Sequence, residues 1–415
     1  MKLNRRGYVT LAAVAVAVTA LAGCSSGGGG SSAKTASSGS VIKLGMITDV
    51  GTSGNDADEV AAARAAVRGV NKRGGIDGHQ AELVFCNGNL SPVTDQSCTR
   101  QLINDKVMAF VGNEEVSYEE SGDKLMAAAG IANVAPVAYS YDFEDPNSYL
   151  INGGEEFLNA GQDIAAVKYG GKRVGFIVVN IPTTVPYLAA HKKLLPTLGG
   201  TYAGQIEVPE ATTDYADPAA ALEATKPDVI DTDSTEASDI EVFKDMAALG
   251  FKGKEVVAAD ALTLSDIQGL GALGDRLLIT SAFPPVTAAS QFPGIAQYKS
   301  DMAAELASGD KVAAGYQTFN RDVAMEAYFG VIGIQKIADA GKATDAASFE
   351  KAIKSAKNIN LGGVIPAWTP NASVSKVVPR VSNGSEYNSE WIDGKIKLLT
   401  PKPVNVTSMV DSSNS

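Results

Sequence analysis

The sequence predicts an α/β protein made of two doubly wound units, each with a parallel sheet. Three observations support this prediction. Apolar strand patterns alternate with helical patterns, the alternation restarts after about residue 149, and the chain has 415 residues. Alternating strands and helices favour a parallel sheet covered by helices on both faces. A chain of this length exceeds the roughly 250–300 residues that one core accommodates.

The first unit begins with the strand pattern VIKLGMIT at 41–48. A helical pattern follows it, because Val60, Ala63, Val67 and Val70 recur at intervals of three and four residues. Further strands are predicted at 81–86, 107–112 and 131–137, with helices at 96–105 and 118–129.

The second unit starts with a helical pattern at 155–169. The unbroken apolar run VGFIVV at 174–179 indicates a strand buried on both faces. Helices are then predicted at 185–198, 217–225, 237–249, 294–306, 313–340 and 346–355, and strands at 205–208, 229–232, 255–259 and 276–281. The tail from Gly362 is rich in Val, Asn, Ser and Pro and predicts strands and loops.

The N-terminus has the pattern of an export signal. Lys2, Arg5 and Arg6 precede the apolar stretch 8–20, which is too short to span a membrane. The ending Leu21-Ala22-Gly23-Cys24 resembles a bacterial lipobox, which implies a lipoprotein signal peptide at 1–23 and lipid on Cys24. An ordinary secretory signal is the alternative, and Sec and Tat export both remain open.

A flexible tether is predicted at 24–41. Five glycines and seven serines occupy 12 of the 16 positions from Ser25 to Ser40, so this segment cannot bury a core. A lipidated Cys24 would then hold a folded domain outside the cytoplasm, anchored to the cell membrane. No later stretch of about 18 apolar residues offers a membrane span.

The charge of the chain is acidic. The formal net charge is −12, and removal of 1–23 takes away three positive charges and leaves −15. A strongly acidic surface argues against a nucleic-acid partner.

Two cysteines remain once Cys24 is assigned to lipid. Cys86 and Cys98 lie in a segment predicted to be exported, where disulfides persist. One disulfide between them is the simple expectation, and two free buried thiols are the alternative.

The sequence lacks the motifs of common enzymes and metal sites. His79 and His191 are the two histidines, both expected to be solvated, and no HExxH or CxxC pattern occurs. Gly269–Gly274 satisfies GxGxxG, but it precedes a strand and is therefore expected to be a turn. We expect no cofactor, no metal and no enzymatic activity.

The segment 70–112 carries a recognisable pattern. Asn71, Gly74-Gly75-Ile76, Gly78, Gln101-Leu102 and Val111-Gly112, with the cysteines at 86 and 98, resemble the first lobe of a type I periplasmic binding protein. The similar branch is the leucine/isoleucine/valine-binding family of ABC importers, which also has a disulfide similar to Cys86–Cys98.

This resemblance implies two lobes joined by a hinge of three chain crossings. Lobe 1 would comprise 42–151 and 284–361, and lobe 2 would comprise 152–283 and 362–408. Ligands of open α/β sheets bind beyond the carboxyl ends of the strands, which places the ligand site in the cleft between the lobes.

The loops at these strand ends contain the candidate ligand-binding residues. They are Thr52, Ser53, Glu115, Val116, Ser117, Ala138, Tyr139, Ser140, Thr184, Asp233 and Asp260. The family places an acidic partner for the ligand ammonium at the position of Asp260. The sequence differs from the family pattern in two loops. Glu115 and Val116 stand at or next to positions where the family has serines, and Tyr139 stands where the family typically has small residues.

The expected function is capture of a small organic solute for an ABC importer, with permease subunits as partners. The family default is a branched-chain or other amino acid, and the acidic loops favour an amide, polyamine or similar nitrogenous solute. A sensor that passes its ligand state to a signalling partner is one alternative. An extracellular enzyme is another.

Overall fold

The computed structural model describes residues 37–51, 57–114, 119–139, 141–180, 185–209, 212–233 and 236–413. Within these ranges, no helix combines the length and apolar character that a membrane span requires. The sequence-predicted features at 1–36, the signal, Cys24 and most of the tether, lie outside the described residues.

The first part of the chain forms a five-stranded parallel sheet, the centre of lobe 1. Its strands are β1 (Ser37–Thr48), β2 (His79–Asn87), β3 (Ala109–Val111), β4 (Asn133–Val134) and β5 (Ser148–Tyr149), in the order β2-β1-β3-β4-β5. The helices between them are α1 (Ala57–Lys72), α2 (Pro92–Asn104) and α3 (Glu119–Ala129). Apolar residues fill both faces of this sheet.

The second part forms lobe 2. Its helices are α4 (Glu155–Ala165), α5 (Val185–Thr197), α6 (Ala216–Glu223), α7 (Glu236–Ala248) and α8 (Leu264–Gly269). Its parallel strands are β6 (Arg173–Val179), β7 (Thr201–Val208), β8 (Val229–Asp233), β9 (Lys254–Ala258) and β10 (Leu277–Ser281). The GxGxxG segment ends α8 and forms a 3₁₀ turn before β10, as its order in the sequence predicts.

The last part of the chain contributes to both lobes. Helices α9 (Pro293–Ala307), α10 (Asp322–Gly341) and α11 (Ala346–Ser355) join lobe 1, where α9 and α10 pack on α1. Strands β11 (Ser385–Ile392), β12 (Lys395–Leu398) and β13 (Val404–Asn405) extend the sheet of lobe 2, and α12 (Thr407–Ser413) follows. Strand β11 runs antiparallel to β10, so the lobe 2 sheet has a parallel centre and an antiparallel edge.

The chain passes between the lobes three times, after β5, after β10 and before β11. The lobe boundaries predicted from the sequence stay a prediction, because the segment after Leu361 contacts both lobes. The Trp368 indole donates a 2.9 Å hydrogen bond to the Leu150 carbonyl oxygen. Val381 packs in a cluster with Phe157 of α4.

The prediction of one helix at 313–340 is wrong, because two shorter helical elements occupy this segment. A 3₁₀ helix covers Lys311–Gln317, and α10 begins only at Asp322. Tertiary hydrogen bonds hold the chain extended between them. The Asn320 side chain accepts from the Val286 amide at 2.9 Å, and the Asp322 carboxylate accepts from the Ala282 amide at 2.6 Å.

The expectation that His191 is solvated is also wrong. Its side chain is 2% exposed between α4 and β6, because its Lys-flanked helix turns this residue inward. The strand β1 begins at Ser37 rather than at 41, since the end of the predicted tether pairs with β2 at His79.

Asp95, in the first turn of α2, makes stability depend on pH. Burial and the nearby charge of Asp49 raise its pKa from 3.8 to about 6. A carboxyl group whose pKa is raised by folding imposes no penalty below pH about 4, and stability is lost as pH rises through about 6. We therefore predict that Asp95→Asn raises the unfolding free energy at pH 7 by about 3 kcal/mol.

Urea denaturation between pH 4 and pH 7 measures this effect. The control is Asp217→Asn, at an exposed position in the first turn of α6. Identical pH profiles for wild type and Asp95→Asn would show that this carboxyl group does not cause the pH dependence.

Candidate functional site

Loops that follow strands of the two lobes meet at one side chain, Arg321. Asp58 lies in the first turn of α1, after β1 of lobe 1, and Asp260 follows β9 of lobe 2. The Arg321 guanidinium contacts Asp58 at 3.0 Å and donates to the Asp260 carbonyl oxygen at 3.3 and 3.4 Å. The two lobes therefore meet at the carboxyl ends of their parallel strands.

A cavity of about 270 Å³ opens beside this contact. Lobe 1 contributes the start of α1, residues of α9, the 3₁₀ helix and the start of α10, and lobe 2 contributes the segment 263–265. Much of the wall is apolar or aromatic, with Tyr298, Met302, Tyr316 and Phe319 among its residues. A cavity lined by both lobes with few polar groups is typical of a small-molecule site.

The polar groups of the cavity include a charge pair and two hydroxyls. The side chains of Arg321 and Asp58 are 15% and 32% exposed, so each is partly dehydrated yet accessible. Thr263 and Ser265 line the same cavity and bond to each other at 2.8 Å between their hydroxyl oxygens. This wall therefore offers a positive group, a negative group and hydroxyls to one ligand.

The carboxylate of Asp260 links the two lobes. It accepts hydrogen bonds from the backbone amides of Asp322 at 2.9 Å and Val323 at 3.3 Å. These amides belong to the first turn of α10, whose dipole favours a negative charge there. Burial raises the pKa of Asp260, an effect that the Arg321 charge and these hydrogen bonds oppose.

Asp260 is one of four carboxylates that we call the acidic cluster, with Asp322, Glu326 and Glu386. Asp322 and Glu326 lie one turn apart on α10, and Glu386 lies at the start of β11, beside the end of β10. Glu386 is 0% exposed, and neither of its carboxylate oxygens has a hydrogen-bond partner among the described residues. Burial and mutual repulsion raise the pKa of Asp322, Glu326 and Glu386 well above the usual range.

The structure describes only some of the sequence-predicted ligand residues. Ala138 is buried, and the Tyr139 hydroxyl donates to the Glu114 carboxylate at 2.9 Å. Asp233 ends β8, and its side chain lies outside the described part. The predictions at Thr52, Ser53, Glu115, Val116, Ser117, Ser140 and Thr184 also fall outside the described residues.

The sequence predictions missed Asp58 and Arg321. Asp58 lies in the acidic first turn of α1, where an acidic residue indicates only the start of a helix. Arg321 was placed inside the long helix predicted at 313–340, a position that carries no signal of a site. The pair is separated by 263 positions in the sequence, so only the folded chain brings it together.

We predict that Asp260→Ala lowers the unfolding free energy by about 1–2 kcal/mol, because the first turn of α10 loses the acceptor that it has in the closed arrangement. Asp260→Asn keeps one acceptor oxygen and is expected to cost less. Urea denaturation of both variants, with Asp217→Asn as the control, measures the difference. Equal stability of wild type and Asp260→Ala would contradict a capping role.

Three solved structures illustrate what the chain is similar to. An extracellular ligand-binding receptor from Verminephrobacter eiseniae has 15% identity and a TM-score of 0.72, over 86% of this chain and 99% of that one. A solute-binding protein of an ABC transporter from R. palustris, in complex with 4-hydroxybenzoate, has 18% identity and a TM-score of 0.69, over 88% and 97%. A branched-chain amino acid transporter substrate-binding protein from Streptococcus pneumoniae, in complex with isoleucine, has 16% identity and a TM-score of 0.66, over 87% and 99%.

These TM-scores show a shared fold. No curated protein matches the chain. The family model described as periplasmic binding protein matches residues 41–374, which is most of the chain. It covers both sheets up to the segment that precedes β11, and the disulfide between Cys86 and Cys98, expected from the resemblance, is present as well. With its two α/β lobes and three chain crossings, the chain belongs to the periplasmic binding protein family and has the type I fold.

Proposed function

We propose that this protein is the solute-binding component of an ABC importer and that it captures a small nitrogenous solute between its lobes. The observation that carries the proposal is the cavity of about 270 Å³ whose wall is shared by the two lobes and contains the Arg321–Asp58 pair. A site made of both lobes is complete only when the lobes are closed. Ligand binding therefore favours the closed form.

The Arg321–Asp58 pair and the aromatic residues beside it suit a ligand with a charged head group and an apolar part. Arg321 can hold a carboxylate, and Asp58 can hold an ammonium, while Tyr298, Tyr316 and Phe319 contact the apolar part. A branched-chain or other amino acid, or a related amide, has this chemistry. The 4-hydroxybenzoate and isoleucine bound by two of the similar proteins also combine a carboxyl group with an apolar part.

The acidic cluster favours a ligand with a cationic nitrogen. Burial and mutual repulsion disfavour the charged forms of Asp322, Glu326 and Glu386, and a ligand ammonium beside the cluster would offset that repulsion. An amine or polyamine is therefore the second candidate. Titration with linear diamines separates it from the amino acids, since a diamine has no carboxylate for Arg321.

The mechanism needs no covalent chemistry. Closure brings Asp260 of lobe 2 against the first turn of α10 in lobe 1, and Arg321 onto the Asp260 carbonyl oxygen. Release of these few bonds separates the lobes at modest cost, so a ligand of ordinary affinity can shift the equilibrium. The closed form would then dock on the permease subunits of the importer.

A thermal-shift screen tests this function on the full chain. The panel contains amino acids, amides, polyamines and aromatic acids. A ligand at 100 times its dissociation constant stabilises the folded state by about 2.7 kcal/mol, which a melting experiment resolves. Stabilisation by none of these classes would contradict the proposal. Conversion of a stabilising compound into a product would favour an extracellular enzyme, and dependence on a signalling protein in place of a permease would favour a sensor.

The lipid anchor makes a separate prediction. Cys24→Ala should leave a folded, ligand-binding protein that is released from the membrane, because the lipid is expected on Cys24 alone and the first strand begins at Ser37. Membrane fractionation with a salt wash measures the release, with Ser25→Ala as the control that keeps the cysteine. Retention of Cys24→Ala in the washed membrane would refute lipid anchoring at this residue.

A further inference from the structure

A second group of polar side chains lies inside lobe 2, apart from the cavity. Asp163 is on α4, His191 on α5 and Asp231 on β8. Their exposures are 0%, 2% and 1%. One carboxylate oxygen from each aspartate and one ring nitrogen of the histidine all lie within 4.8 Å of one another. Two helices and one strand thus bring three metal-ligating side chains to one buried point.

The bonds among these groups leave two buried oxygens unused. The His191 Nδ1 and Asp163 Oδ1 atoms are 2.9 Å apart, and the Gln162 amide donates to Asp231 Oδ1 at 3.0 Å. Among the described residues, Asp163 Oδ2 and Asp231 Oδ2 have no hydrogen-bond partner. Such a buried acceptor costs free energy comparable to a lost hydrogen bond.

The charges of the group are also unbalanced. One imidazole supplies at most one positive charge against two aspartates. Asp239 of α7, itself fully buried, adds a further carboxylate whose charge acts on Asp231. Buried carboxylates in proteins are normally paired with a cation or coordinate a metal, so a cation would balance the charge that the described residues leave on Asp163 and Asp231.

We propose that Asp163, His191 and Asp231 bind a divalent transition-metal ion, with zinc as the probe. An ion bound at about 2.0–2.2 Å holds its ligand atoms about 3–4.4 Å apart, and the three ligand atoms here lie within 4.8 Å of one another. The imidazole nitrogen that faces Asp163 turns its lone pair to the ion, and the proton of that hydrogen bond leaves to solvent. Gln162 stays as the outer partner that orients Asp231.

An ion at this position would affect solute binding indirectly, through the elements that support two strand-end loops. It would tie α4 and α5 to β8. Helix α5 begins at Val185, directly after the predicted ligand residue Thr184, and β8 ends at the predicted ligand residue Asp233. The ion would therefore stabilise the supports of two strand-end loops without contacting the solute.

Metal analysis of the full chain tests the proposal. The protein is stripped with a chelator, equilibrated with micromolar zinc, desalted and analysed by mass spectrometry for zinc. We expect one zinc per wild-type chain and a higher melting temperature with zinc than with chelator. The chain has two histidines, which provide a matched pair. His191→Gln should lose the zinc, and His79→Gln, at the surface, should keep it.

Two more variants refine the result. Asp231→Asn should bind no zinc while circular dichroism shows a folded protein, and Gln162→Leu should weaken zinc binding by about 10- to 100-fold. If His191→Gln does not fold, cobalt binding to the wild type still tests the proposal. Cobalt bound by an imidazole ligand gives a visible absorption band, and added zinc should displace the cobalt and abolish that band. A wild type that retains no zinc, or equal zinc in His191→Gln and wild type, would overturn the proposal and leave a proton-sharing Asp–His network.

Discussion

Arg321→Gln is expected to weaken binding of an amino-acid solute by about 100-fold. A charged hydrogen bond in a site closed to water contributes about 1.5–3 kcal/mol, and this arginine supplies the positive charge of the cavity. The substitution also removes hydrogen bonds to the Asp260 carbonyl oxygen, which favours the open form. Both effects act in the same direction on affinity.

Isothermal titration with a solute from the screen measures this loss. The control is Arg68→Gln, which breaks another arginine–carboxylate pair, Arg68 with Glu305 at 2.6 Å, away from the cavity. The control should retain the wild-type affinity. If Arg321→Gln binds a carboxylate-bearing solute as tightly as wild type, the head-group site is elsewhere. If it binds a diamine more tightly, the second ligand class is supported.

Removal of the disulfide is expected to lower the unfolding free energy by about 3 kcal/mol, because the bridge closes a loop of 12 residues in the unfolded chain. Cys86 lies near the end of β2, and Cys98 on α2 is 2% exposed in the apolar layer under the lobe 1 sheet. The double variant Cys86→Ala, Cys98→Ala replaces both sulfurs without leaving a free thiol.

Denaturant unfolding of oxidised wild type, reduced wild type and the double variant measures this contribution. The reduced protein and the double variant should lose similar stability, which separates the crosslink from the packing of the sulfurs. Two thiols that react with an alkylating agent in the unreduced exported protein would show that the bridge does not form. A loss below about 1 kcal/mol would show that the unfolded chain is restricted by other means.

The alternation of strand and helix patterns was sufficient to predict two α/β units with parallel sheets, whereas the three chain crossings were expected only from the family resemblance. Local periodicity reports which face of an element is buried, and the order of the elements then limits the topology. The break before α10 was not predictable in this way. Apolar residues continue through 313–340, and the helix stops because Asn320 and Asp322 bond to the segment after β10, a contact that exists only in the folded chain.

The ligand site was likewise only partly predictable, because some of its contacts exist only in the folded chain. Asp260 was predicted at a strand end facing the other lobe, and the structure places it there, with its carboxylate on the first turn of α10. Its role toward a ligand ammonium stays a prediction. The Arg321–Asp58 pair depends on a helix start and a helix break that are distant in sequence. His191 was missed for a related reason, since one buried residue on a Lys-flanked helix leaves little periodic signal.

The central claim is that one solute contacts both lobes at once. Hydrogen–deuterium exchange of the full chain, with and without a solute identified by thermal shift, tests it most directly. We predict simultaneous protection of the start of α1 in lobe 1 and of the segment 263–265 in lobe 2, the two parts of the cavity wall, with Arg321→Gln reducing both together. Protection of a segment in only one lobe would contradict capture of the solute between the lobes. Unchanged exchange in both segments would contradict it as well.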